Sequence, residues 1–188
     1  GGAGNDRIFG GAGNDLIEGG EGNDSLTGGS GNDTLSFANA TSAVTVDLGA
    51  GTATGAGADS ISGFEYVLGS AHSDQLTGSA SSDTFIGSAG NDVISGGAAG
   101  QDVVTYAGGT SAITASLTAG NDTVIGEGTD TLVDIDVLVG TGQADQFTVS
   151  GGTGTISAGS GVDTLSISGS AATTVDLVNG AVSGTGSY

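Results

Sequence analysis

A nine-residue step that carries an aspartate and a large apolar residue in fixed register constrains this chain more than any other feature. GGAGNDRIF (1–9), GGAGNDLIE (10–18), GGEGNDSLT (19–27) and GGSGNDTLS (28–36) all fit GGxGxDxUx, with U large and apolar. Six residues of glycine, small residues and Asp suit a turn, and three residues with one central apolar side chain suit a short strand. Two turns and two strands then make one coil of 18 residues, with Ile8, Ile17, Leu26 and Leu35 pointing inward. Turns on one side stack Asp6 with Asp24, and turns on the other stack Asp15 with Asp33. A flexible Gly-rich linker has no reason to keep the Asp and apolar registers together.

The step continues in weaker form as GSAHSDQLT (69–77), GSASSDTFI (78–86), GSAGNDVIS (87–95) and the ten-residue GGAAGQDVVT (96–105). Asp74, Asp83 and Asp92 keep the nine-residue spacing and Asp102 is displaced by one. AGNDTVI (119–125), GTGQADQFT (140–148) and AGSGVDTLS (158–166) keep the Asp-x-apolar ending with fewer glycines. A longer period overlies the short one. Residues 31–51 match 100–120 at an offset of 69, pairing Phe37 with Tyr106, and 59–77 match 130–148 at an offset of 71. The expected organisation is four strong repeats over 1–36, a first module over 37–105, a second over 106–166, and the start of a third over 167–188. Within the modules, Val44, Val46 and Leu48 alternate as in a strand, and LVNGAV (177–182) carries an Asn-Gly hairpin signal. The chain reads as a fragment of a longer protein.

Such a solenoid has little to hold it together. Leu, Ile, Val and Phe number only 41 of 188 residues, and 21 acidic residues face Arg7 alone, for a formal charge of −20. That composition borders on the disordered class. With no cysteine in the chain, disulfides cannot supply the missing free energy. Metal binding is the remaining source. The single basic residue excludes binding to a phosphate backbone, and no segment of the sequence reads as a membrane span or a signal peptide.

Calcium takes six to eight oxygens from carboxylates and backbone carbonyls. Glycine at positive φ aims successive carbonyls at one point, and the Asp at position six adds a charged ligand. Stacked turns share each ion and relieve the repulsion between their carboxylates. The expected ligand-bearing positions are Gly2, Gly4, Asp6, Gly11, Gly13, Asp15, Gly20, Gly22, Asp24, Gly29, Gly31 and Asp33, followed by Asp74, Asp83, Gly90, Asp92 and Asp102. His72 and Ser81 stand where the fourth-position glycine belongs, which leaves Asp92 the best placed of the later set. A site with a dissociation constant of about 0.1 mM, in external calcium of about 1 mM, adds roughly 1.4 kcal/mol. About six such sites approach the whole stability of a small domain. The chain is therefore expected to be disordered without calcium and folded with it.

On these motifs the chain resembles the repeats-in-toxin (RTX) family, whose nonapeptide residues 1–36 match without a fault. The resemblance implies an all-β, right-handed parallel β-roll or β-helix solenoid with several Ca2+ ions in its turns. It also implies type I secretion and folding on meeting external calcium.

No catalytic grouping accompanies the repeat. His72 is the only histidine and sits in a turn, zinc would need several His or Cys ligands, and the paired carboxylates are explained by the register. The N-x-S/T sequons at Asn23, Asn32, Asn39 and Asn121 are mostly the motif itself. Thr27, Ser36, Thr77, Ser95 and Thr148 are expected to face outward on a solvated sheet, and Phe9 and Leu16 to project outward as contacts for another module or chain. Ala, Ala, Glu and Ser occupy the third motif position, which argues against an ice-binding Thr array.

Two function classes follow. One is a non-enzymatic extracellular structural module of a surface layer, adhesin stalk or fibre, with self-association into arrays. The other is the secretion and folding region of a toxin, protease, lipase or epimerase.

Overall fold

In the computed structural model, residues 1–151 and 154–168 are described, together with the backbone of 174–175. The Asn-Gly hairpin at 177–182 and most of the region from 167 to 188 lie outside them. Every regular element among the described residues is a strand, most of them three to six residues long. Among the described residues no helix is long and apolar enough to cross a membrane.

The strands form two long sheets and a two-stranded ladder between Gly2–Ala3 and Gly20–Glu21. The eight-stranded sheet is parallel throughout and runs Leu16–Ile17, Thr34–Ser36, Tyr66–Leu68, Thr84–Ile86, Val103–Thr105, Val137–Val139, Thr155–Ser157, Thr174–Val175. Its central residues Leu35, Val67, Phe85, Val104, Leu138 and Ile156 form one inward column, each at most 3% exposed. The opposing column comes from the twelve-stranded sheet and includes Leu26, Ile61, Val46, Leu76, Ile94 and Phe147. Period-two alternation explains this: three-residue strands bury one central side chain and leave its neighbours outside. The chain is thus a parallel β-roll solenoid with a thin core one side chain deep from each wall.

The twelve-stranded sheet is not wholly parallel. Where the coil would return at 37–58, the chain instead forms Thr45–Asp47, Thr52–Thr54 and Ala58–Ser62 as an antiparallel meander before rejoining the coil. Thr114–Leu117, Asp122–Ile125 and Thr129–Val133 do the same further along. The single strand expected around Val44, Val46 and Leu48 is therefore one of three. Between Leu35 and Val104 the parallel sheet advances three strands, whereas between Val46 and Ala115 the other advances five. Phe37 and Tyr106 are both buried where the chain enters each meander. Phe9 and Leu16 project outward, 59% and 72% exposed, while Ser36 is buried rather than outward on the sheet face.

Candidate metal centres

In the four strict turns the glycines at positions two and four all have positive φ, between 100° at Gly20 and 133° at Gly31. A Cβ at Gly20, Gly22, Gly29 or Gly31 would strike the carbonyl oxygen of Gly2, Gly4, Gly11 or Gly13, the equivalent residue one coil earlier. Gly1, Gly10, Gly19 and Gly28 lie against Oδ2 of Asp6, Asp15, Asp24 and Asp33, leaving no room for a side chain. The motif's glycines therefore create a cradle floored by backbone carbonyls and walled by one carboxylate oxygen.

The two oxygens of each carboxylate differ. Oδ1 joins the coils: the Asp6 N–H donates to Asp24 Oδ1 (2.8 Å) and the Asp15 N–H to Asp33 Oδ1 (2.8 Å). Asn at position five runs a ladder in the opposite sense, the Asn23 N–H donating to Asn5 Oδ1 and the Asn32 N–H to Asn14 Oδ1. Oδ2 of Asp6, Asp15, Asp24 and Asp33 is buried with no hydrogen-bond partner. A buried charged oxygen without a partner costs upward of about 1–3 kcal/mol, so these turns are incomplete as protein alone. A cation seated in the cradle completes them. Its donors would all be oxygens, which selects a hard cation. Among the described residues no three Asp, Glu, His or Cys side chains converge on one point, so carbonyls must supply much of the coordination.

The later turns are built differently. Asp74, Asp83, Asp92 and Asp102 are all buried and continue the ladders, the Asp74 N–H donating to Asp92 Oδ1 and the Asp83 N–H to Asp102 Oδ1 (both 2.9 Å). Yet Asp74 and Asp83 have hydroxyl partners in their own turns, from Ser70 and Ser79. Gly90, at φ 128°, keeps the strict geometry before Asp92. Asp102 lines a cavity of about 500 Å3 with Asp122, Asp134 and Asp136. Burial pushes the Asp92 carboxyl up to about 7, reinforced by the neighbouring charges of Asp130 and Asp74. Asp102 is raised likewise, first by burial and then by Asp83 and Asp136.

Four acidic residues join these stacks from outside the nonapeptide pattern. Asp59 Oδ1 accepts the Asp24 N–H, Glu65 Oε2 the Asp33 N–H, Asp130 Oδ1 the Asp92 N–H, and Asp136 Oδ2 the Asp102 N–H (all 2.9 Å). The match of 59–77 with 130–148 already paired Asp59 with Asp130 and an acid at 65 with one at 136. Asp163, within the degenerate nonapeptide 158–166, also joins: its Oδ1 accepts the Asp145 N–H at 2.9 Å, and its Oδ2 is buried without a partner as in the strict turns. Its turn, AGSGVD, keeps glycine with positive φ at positions two and four (Gly159 at 90°, Gly161 at 130°) and has lost only the first. Tyr106 Oη donates to Asp130 Oδ2 at 2.6 Å; burial raises both groups, Asp130 less because it accepts that bond.

With that geometry described, comparison with known families finds a match. The model of the RTX calcium-binding nonapeptide repeat (four copies) matches residues 1–35, 68–100 and 131–165, more than half of the chain's length. No curated protein matches the chain.

Proposed function

The chain belongs to the RTX calcium-binding nonapeptide repeat family, and from that premise we propose that it serves outside the cell as a calcium-stiffened spacer in a surface layer, adhesin stalk or fibre. That it is a calcium-binding structural repeat module, taking Ca2+ in several turns, follows from the family. The family is structural rather than catalytic, and its members are typically exported by type I secretion, which supports the extracellular setting.

The observation that carries the spacer reading is sheet continuity. The twelve-stranded wall passes through both meanders without a break in strand pairing, from Leu26 through Ile61, Ala53 and Val46 to Leu76, and from Ile94 through Leu132, Val124 and Ala115 to Phe147, and the eight-stranded wall is parallel throughout. Successive units share backbone hydrogen bonds and a core instead of hanging on a linker, so bending or stretching the array must break a sheet. Calcium in the strict turns removes the repulsion that would otherwise oppose such stacking.

Electron microscopy of the chain in millimolar calcium and in chelator tests this. Elongated particles or filaments that depend on calcium are expected, and indistinguishable particles in both buffers would sink the reading. A catalytic domain directly preceding these repeats in the full-length protein would favour a secretion and folding region instead.

A further inference from the structure

The turns divide into two chemistries according to the residue at position two. In five turns with glycine there, 1–6, 10–15, 19–24, 28–33 and 158–163, the Asp Oδ2 is left bare. Where it is Ser or Thr, the same residue caps its own aspartate. The Ser70 N–H donates to Asp74 Oδ2 (2.6 Å) and its Oγ to Oδ1 (2.7 Å). The Ser79 N–H and Oγ both donate to Asp83 Oδ2 (2.6 and 2.9 Å). The Thr141 N–H donates to Asp145 Oδ2 (2.7 Å) and its Oγ1 to Oδ1 (2.8 Å).

The wiring extends one step further. Each of these hydroxyls accepts the N–H of position four, from His72, Ser81 and Gln143, at 3.0 Å. In strict turns that same amide is spent on the next coil, as Gly4 N–H to Glu21 O and Gly13 N–H to Ser30 O. The peptide planes differ too. Asp134 is the only non-glycine residue with positive φ among those described, so His72, Ser81 and Gln143 do not adopt the fourth-position φ of the strict turns. Turn 87–92 is a hybrid, with Gly90 in strict geometry and a Ser88 Oγ that is buried and unpartnered.

We propose that the Ser/Thr hydroxyl at position two replaces the calcium ion, so that turns 69–74, 78–83 and 140–145 bind none and the coils they close hold their structure in its absence. The physical ground is substitution of donors. An ion and a pair of N–H and O–H donors satisfy the same carboxylate, and a turn that already contains the donors has no bare oxygen to offer. The chain is then a permanently folded middle adjoining a calcium-conditional N-terminal block, instead of a uniformly calcium-dependent solenoid. This rests on calcium binding by the strict turns and is independent of where the protein works.

Hydrogen exchange resolved by segment, on the full chain in calcium and in chelator, tests it. Amides of Gln75–Thr77 and Thr84–Ile86 should keep their protection in chelator while those of Arg7–Ala12 and Ser25–Ser30 lose at least tenfold. Loss of both sets together at one calcium concentration would overturn the proposal. Protection of both sets in chelator would support the hydroxyl turns and instead refute the metal requirement of the strict ones. A double variant, Ser70→Gly with His72→Gly, rebuilds the strict motif. It should make the protection of Gln75–Thr77 calcium-dependent and raise the calcium stoichiometry measured by titration calorimetry, and an unchanged stoichiometry with calcium-independent protection would count against the proposal. Ser70→Ala should expose the same amides at least tenfold faster in either buffer, and no change there would also overturn it.

Discussion

Replacing Asp24 with Asn should stabilise the protein in chelator and do so less in calcium. Asp24 is 3% exposed; its Oδ1 accepts the Asp6 N–H at 2.8 Å and its Oδ2 is buried without a partner. Asparagine keeps the acceptor and the shape, and replaces the bare anionic oxygen with a neutral NH2 facing carbonyls. Without metal, removal of an uncompensated buried charge should gain about 1–3 kcal/mol. It also relieves Asp59, whose raised pKa owes most to burial and some to the Asp24 charge. With metal, losing the charged ligand weakens the site. A tenfold loss from about 0.1 mM, at about 1 mM calcium, lowers the mass-action contribution from about 1.4 to about 0.4 kcal/mol. At about 2–4 °C per kcal/mol for a chain of this size, the metal-free gain carries into calcium less about 1 kcal/mol, so the melting point should rise about 2–4 °C less in calcium than in chelator. In chelator it should melt a few degrees higher, or gain β signal if the N-terminal coils have no melt of their own. Circular dichroism in the two buffers measures both arms. A shift of equal size and sign in both would show that the carboxylate acts only through its hydrogen bond, and would refute the assignment of Oδ2 to a cation.

Other perturbations follow from the same geometry. Gly20→Ala places a Cβ on the Gly2 carbonyl at a φ of 100° and should lose about 1–3 kcal/mol and raise the calcium midpoint; Gly108→Ala, with nothing within 4 Å and no positive φ, is the matched control in a urea melt. Tyr106→Phe removes the buried donor to Asp130 and should lose about 1.5–3 kcal/mol in urea; an unaltered midpoint would show that the bond is dispensable, as at the corresponding Phe37. The Asp92 carboxyl, at about 7 in the folded chain against 3.8 ordinarily, binds protons more tightly folded than unfolded. Metal-free stability should therefore fall as pH rises from about 4 to about 7 and level off above, and Asp92→Asn should flatten that slope in pH-dependent melts.

Much of this architecture is legible in the sequence because the nonapeptide couples a conformational requirement to a chemical one. Gly2 and Gly4 demand positive φ, Asp6 demands a partner, and Ile8 demands burial, all within one turn and strand, so the pattern reads without knowledge of distant contacts. The meanders escaped this reading. Thr52–Thr54 has one small buried residue, Ala53, and no motif, and its antiparallel pairing depends on neighbours on both sides rather than on local preference. Asp59, Glu65, Asp130 and Asp136 were obscured for a related reason: they occupy turn positions by virtue of the stack above them, not of glycines around them. Ser70, Ser79 and Thr141 stood in plain view as departures from the consensus. Their meaning lies in a hydroxyl direction that only side-chain geometry reveals.

The unequal advance of the two walls has a consequence for shape. Parallel strands sit about 4.8 Å apart and facing sheets about 10 Å apart. Three strands on one wall and five on the other then differ by about 10 Å of arc per repeat, close to the thickness of the roll itself, which corresponds to a deflection of about 55°. A tandem array of such units does not run straight. It curls with the all-parallel wall on the inside of the arc, and the inserted hairpin strands act as voussoirs whose number sets the radius.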